Sequence, residues 1–121
     1  MILIISGTLP SLNEVINANR SNRFAGAKMK KSVQSSIEKL VMQQCLYKYE
    51  RIRISFEWYE KNRKRDFDNI ASSAKFILDA LVKCKVIPND GWKQIAPELN
   101  HKFYHDKENP RVVVTIIPIE D

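Results

Sequence analysis

Arg65 to Asp90 reads RDFDNIASSAKFILDALVKCKVIPND, and the fold follows from how this stretch divides. Ile70, Ala74, Ile77, Leu78 and Leu81 recur at intervals of three and four, which predicts one helix from about Asn69 to Lys83. Asp68 or Asn69 suits its N-cap, because a short polar side chain there accepts from an unpaired helix amide. In front of the helix stand two aspartates, Asp66 and Asp68. In an extended segment the side-chain period is two, so both are expected on one side, with Phe67 turned the other way into packing. Behind the helix, Val86-Ile87-Pro88 reads as extended and Asn89-Asp90-Gly91 as a turn.

Outward from this stretch the chain alternates between strand and helix patterns. Arg51 to Tyr59 is a half-buried strand, with Ile52, Ile54, Phe56 and Trp58 on one face and polar residues on the other. Lys28 to Tyr47 carries a helical stripe of Val33, Ile37, Leu40, Val41 and Cys45. Ile2 to Ser6 is a short strand closed by Gly7. Thr8 to Ala27 has no clean period and reads as a long loop, either functional or a solvated connector. Beyond the central stretch, Gln94 to Tyr104 and Arg111 to Ile119 read as two strands. The polar His105 to Pro110 segment between them is expected to close a hairpin. The sum is an α+β fold, a small mixed sheet with two main helices packed on it, in a single domain over residues 1–121.

A chain of 121 residues can bury one sizeable core. Its net charge of +6 and pI of about 9.4 suit an anionic partner. The cysteines, Cys45 and Cys84, form neither a CxxC nor a zinc-spaced cluster, so two reduced thiols are expected. No segment is long and apolar enough to span a membrane, and a cytoplasmic protein without membrane contact is the expectation.

The chemistry concentrates around Asp66, Asp68 and Asp90. Hard divalent cations take oxygen ligands, and magnesium binds through one or two carboxylates plus water and phosphate. Converging carboxylates repel unless a cation offsets them. Lys75 is the candidate for that role, although a surface pair with Asp79 at i+4 would also account for it. The aspartate pair taken alone also reads as a helix cap with a solvated acid. Asp90 joins the other two only if the chain after the helix turns back. Two basic clusters flank the acids: Lys28, Lys30 and Lys31 at the first long helix, and Arg63, Lys64 and Arg65 directly before Asp66. Either is a solvated face or a grip for phosphates, and position beside the aspartates favours the grip for the second. His101 and His105 lack the glutamate of HExxH and read as structural. A basic DNA-binding protein without catalysis, and a different metal-dependent phosphohydrolase, fit parts of this pattern. The first has no use for three acids, and the second would need a phosphate-cradling loop that three glycines do not supply.

Asp66-Phe67-Asp68-Asn69, Lys75 four residues before Asp79-Ala80-Leu81, and the Asn89-Asp90 turn together resemble the RusA-type Holliday junction resolvases, common in phages and prophages. Leu9-Pro10-Ser11-Leu12-Asn13 resembles the opening of that family. The resemblance implies a homodimeric endonuclease that cuts four-way DNA junctions in recombination and repair. It implies Asp66, Asp68 and Asp90 as catalytic metal ligands, Mg²⁺ as the cofactor with Mn²⁺ as candidate substitute, and Lys75 as the essential lysine. Two departures stand out. The best-known members carry their lysine four residues after the second aspartate, which is Ser72 here. Alignment on Asp79-Ala80-Leu81 selects Lys75 and leaves a three-residue insertion. The double acid of the turn is Asn89-Asp90, so only Asp90 supplies a carboxylate.

Overall fold

The computed structural model describes residues 1–45 and 47–120. Leu46, which the periodicity puts in the first long helix, and Asp121 lie outside them. The elements run β1 (Ile2–Ser6), α1 (Leu12–Ser21), α2 (Ala25–Gln44), β2 (Ile52–Glu60), α3 (Phe67–Ala71), α4 (Ala74–Lys83), β3 (Asn100–His105) and β4 (Arg111–Pro118). The four strands form one mixed sheet in the order β1-β4-β2-β3. The fold is α+β, as the residue pattern predicts.

The core lies on one face of that sheet. Leu3 and Ile5 of β1, Ile52, Ile54, Phe56 and Trp58 of β2, and Val112, Val114 and Ile116 of β4 are all buried. They meet Ile37 and Val41 of α2 and Phe76, Ile77, Ala80 and Leu81 of α4 in a single cluster. The alternation along β2 therefore does what its sequence promises, since side chains two apart share a face. The opposite face is open, and Ile2, Ile4 and Ile117 are exposed on it. The outer edge of β1 is partly covered: the Gln44 amide donates to the Ile4 carbonyl at 3.1 Å and accepts from its N–H at 2.9 Å. Such cover blunts an edge that would otherwise pair with another chain.

Three expectations need correction. The expected hairpin does not form, because β2 lies between β3 and β4. β3 instead pairs in parallel with β2, from Ser55↔Asn100 to Glu60↔His105, after the crossover through α3 and α4. The strand expected over Gln94 to Tyr104 is correspondingly split. Ile95 makes an isolated bridge to Ile52, and regular pairing resumes at Asn100. The polar loop between β3 and β4 is fixed in another way, through an Asp106–Arg111 ion pair at 2.9 Å. Arg111 also lies over the Tyr59 ring at 3.8 Å.

The second correction is the segment read as a long loop, which contains α1. Its N-cap is Ser11, whose hydroxyl accepts from the Glu14 N–H at 3.2 Å. Ser11-Leu12-Asn13-Glu14 has the serine and glutamate of a capping box. α1 packs closely on α2 at Gly26, where a Cβ would come within 2.8 Å of the Val15 carbonyl and closer still to the Asn19 side chain. The third is the central helix, which is two helices. α3 ends at Ala71 and α4 begins at Ala74, with Ser72 and Ser73 between. Both serines use their hydroxyls on distant backbone. Ser73 donates to the Pro10 carbonyl at 3.0 Å, and Ser72 accepts from the Leu12 N–H at 3.2 Å. The Ser72 hydroxyl also donates to the Asn69 carbonyl at 2.6 Å, a local bond of the kind that competes with the helical ladder. Cys45 and Cys84 are free thiols, and burial raises the pKa of each.

Candidate active site

The acid-bearing elements are held by the segment that precedes α1. Arg65 is the main fastener. Its guanidinium donates to Glu60 at 2.7 and 3.0 Å, to the Leu9 carbonyl at 2.9 Å and to Glu14 at 3.3 Å. Glu60 is only 8% exposed, so this is a largely desolvated pair with its donors well matched. Asn13 adds a bond from its side-chain amide to Asn69 at 2.7 Å. Together with the bonds from Ser72 and Ser73, these contacts stitch Leu9 to Asn13 onto α3.

On this support Asp66 is extended, at φ −71° and ψ 155°, and stands at the N-cap of α3 without a side-chain capping bond. Asp68 is already inside the first turn of α3. The expected extended backbone is therefore found at Asp66 alone, because the helix begins one residue before Asp68. Phe67 does not turn into packing either. It is 66% exposed and stacks on Phe103 with ring centroids 4.5 Å apart. Both aspartates are exposed, and among the described residues neither carboxylate is hydrogen-bonded or ion-paired.

Asp90 is reached through the end of α4. The Lys85 N–H donates to the Val82 carbonyl at 3.0 Å and the Val86 N–H to the Leu81 carbonyl at 2.9 Å. This is the Schellman pattern, which reverses the chain at a helix C-terminus. Its left-handed position is occupied by Lys85 at φ 62°, where glycine is the usual residue. Val86 and Ile87 then bury against the core and carry Asn89-Asp90 back along α4. As a result the Lys75 ammonium sits 2.9 Å from Asp79 and 3.5 Å from Asp90. The hydrogen bond that Lys75 donates to Asp79, and then the charges of both acids, raise the Lys75 pKa, so the side chain is firmly cationic at neutral pH. Ser72, the alternative position for a lysine, is instead tied to the Asn69 carbonyl at 2.6 Å and to the Leu12 N–H.

Lys28, Lys30 and Lys31 are exposed on α2, in its second turn and not at its very start, since the helix begins at Ala25. Lys30 and Lys31 line a groove of about 600 Å³ between α2 and α4 whose far wall includes Asp79. Lys30 and Lys31 thus open onto a groove shared with Asp79, the partner of Lys75. Arg63 and Lys64 are exposed, whereas Arg65 is engaged internally. A second cavity, of about 380 Å³, lies at the ends of β2 and β3 and includes Arg63, Asp66, Phe67, Phe103 and His105. His101 lies under this end, stacked on Phe56 at 4.9 Å, and its Nδ1 accepts from the Trp58 indole at 2.9 Å. Burial lowers its pKa, so it is a neutral structural ring.

Among the described residues, no three His, Cys, Asp or Glu side chains are gathered closely enough to hold a metal ion together. The donor chemistry nevertheless fits a hard cation. Asp66 and Asp68 offer unpaired carboxylate oxygens, and magnesium needs only one or two from the protein when water and phosphate complete its shell. Asn13 and Ser11 are the positioning residues that periodicity misses. The capping-box spacing signals Ser11, and Asn13 falls in the Leu9 to Asn13 stretch that resembles the family's opening. Among the described residues, no helix is long and apolar enough to cross a membrane. A family model described as endodeoxyribonuclease RusA matches residues 10–117, which include all three acids and Lys75. No curated protein matches the chain.

Proposed function

This chain belongs to the RusA endodeoxyribonuclease family, and from that premise we propose a Mg²⁺-dependent resolvase that cuts four-way junctions in paired nicks during recombination and repair. Its place in the family makes it an endodeoxyribonuclease acting on branched DNA. The finer reading concerns which residues do the work. The observation that carries it is the contact of Lys75 with Asp90 at 3.5 Å, across 15 positions of sequence. It supports Lys75, and not Ser72, as the lysine of the site.

Asp66 and Asp68 are the carboxylates that would hold the divalent cation, with Asp90 as the third acid. A Mg²⁺ ion held there would supply a water of lowered pKa and positive charge for the phosphate, and Mn²⁺ would share its preference for oxygen ligands. The protein's own contribution is placement. Arg65 fixes the entry to α3 and so sets where Asp66 and Asp68 stand. Lys75, shared between Asp79 and Asp90, can turn from a carboxylate to the scissile phosphate as negative charge grows there. Lys28, Lys30, Lys31, Arg63 and Lys64 grip backbone phosphates without reading sequence, which makes affinity fall steeply with salt. Arg65 acts on DNA only through the position it imposes on its neighbours.

A junction presents two strands to cut, and a two-fold homodimer meets both at once. The exposed Ile2, Ile4 and Ile117 on the open sheet face offer apolar surface for such an association. Cleavage of a labelled four-way junction tests the reading, with the parent chain beside Asp68→Asn, with and without Mg²⁺, and against a linear duplex of the same sequence. Paired symmetric nicks that need both Mg²⁺ and Asp68 are the expected result. Metal-independent cutting, or binding with no cutting, would overturn the assignment.

A further inference from the structure

Phe67 is placed where an apolar ring has no structural use. It sits between Asp66 and Asp68, and it is 66% exposed. Burying such a side chain would contribute roughly 1.5–3 kcal/mol, and the fold forgoes most of it. The ring is not loose, however. One side lies against Phe103 at 4.5 Å with the planes 20° apart, close to parallel. Phe103 is partly buried against the core, so Phe67 is braced from beneath and open elsewhere. Beside it is the cavity of about 380 Å³, floored by Ile70 and rimmed by Asn62, Arg63 and His105. That volume lies within the roughly 300–1,000 Å³ of small-ligand sites. Asp66 lines the same cavity, so its carboxylate and the apolar floor face one space.

We propose that Phe67, braced by Phe103, is a stacking platform for one nucleobase drawn out of the helical stack beside the scissile phosphate, and that the adjoining cavity receives that base. The inference rests on the reading of this chain as a junction nuclease with Asp66 at the reacting phosphate. Three features favour a base over other occupants. The platform is flat, aromatic and open on one side, which suits any base through its π-face. Arg63 on the rim supplies positive charge for the backbone of the same nucleotide. The distance from acid to platform is one residue along the chain, as a phosphate and its own base are neighbours. A four-way junction eases the step, because stacking is already interrupted at the point of exchange. The platform is therefore a positioning element, and it selects strands whose bases can leave the stack.

The test uses the whole chain and a four-way junction carrying 2-aminopurine at successive positions around the mapped cut, with Ca²⁺ in place of Mg²⁺ to hold back cleavage. Binding of the parent protein is expected to brighten the probe at one position next to the cut. Phe67→Tyr is expected to keep that signal, and Phe67→Leu and Phe67→Ala to lose it while still binding the junction through phosphate contacts. In Mg²⁺, cleavage by Phe67→Ala is expected to fall about 5- to 150-fold, the span of a lost base–aromatic stack. Since Phe67 lies on the surface, all three variants are expected to melt like the parent. A parent protein that cuts the junction but brightens no probe would overturn the stacking proposal alone, as would a leucine variant that retains the signal. A parent protein that neither binds nor cuts would overturn both this proposal and the functional reading beneath it.

Discussion

The two ends of the acid constellation are held by opposite means. At the Asp66 end, the fastener is Arg65, half-buried and bonded to Glu60, Glu14 and the Leu9 carbonyl. At the Asp90 end, the cation is Lys75, exposed and divided between Asp79 and Asp90. The first is a charge used for architecture, and its partners leave it no freedom. The second is a charge kept near the surface with loose geometry on one side, available to a ligand. The lesson is that two basic residues beside two acids need not share a role. Burial and partner count separate them where sequence cannot.

The comparison is sharpest in activity. Asp68→Asn is expected to reduce junction cleavage to background while leaving metal-free binding intact or stronger, since one repulsive charge is gone. Gel-based cleavage and binding assays on the same samples check this. Lys75→Met comes next. Its expected cost is about 10²–10³ in kcat, the scale of losing one charge-stabilising donor. Its thermal midpoint should barely move, because an exposed i,i+4 pair contributes only about 0.3–0.5 kcal/mol. Arg65→Met should invert that pattern. It strands Glu60 in a largely buried position, and urea unfolding is expected to show about 3 kcal/mol of lost stability. If Arg65→Met unfolds no more easily than Lys75→Met, the contrast between the two ends collapses.

A smaller effect concerns the platform under the Asp66 end. The Trp58 indole donates to Nδ1 of His101, so the neutral ring carries its proton on Nε2, and burial lowers the pKa below the usual 6.5. The unfolded chain then binds more protons than the folded one below that pH. His101 therefore stabilises the fold fully above about 6.5 and progressively less as pH falls toward its folded value. His101→Gln, whose amide oxygen can still accept from the indole, is expected to flatten the decline in melting temperature between about pH 7 and 5. An unchanged slope would mean that carboxylates alone carry the acid sensitivity.

How much of this was legible in the sequence depends on the range of the forces involved. β2 and the stripe of α4 were readable because their periods are local and their apolar sets are clean. The identities of Asp66, Asp68, Lys75 and Asp90 were readable as a motif. The break at Ser72 and Ser73 was not, since beyond the local bond from Ser72 to Asn69 those hydroxyls meet Pro10 and Leu12, about 60 positions away. The same holds for β3, whose neighbour is set by a crossover and not by the nearest turn. α1 was hidden by its asparagines, which are weak helix formers. Its capping serine and glutamate were there to be read.

The smallest expected effect tests how the loose end is built. Lys85 holds φ at 62° in the turn that brings Asp90 back to Lys75. A side chain in that region is strained, and glycine removes the clash, so Lys85→Gly is expected to stabilise the folded chain by about 0.5–1 kcal/mol. Its two backbone bonds, from Lys85 to Val82 and from Val86 to Leu81, need no side chain and should survive. Cleavage should stay within about twofold of the parent, since Val86 and Ile87 remain buried and continue to aim the turn. Stabilisation without loss of activity would show that the return of Asp90 is fixed by the Schellman bonds and the two apolar anchors. A gain in stability accompanied by a fall in kcat would mean instead that the strain at Lys85 helps to hold Asp90 against Lys75. The Asp90 end would then be under tension, and the contrast with Arg65 would lie in the kind of restraint and not in its amount.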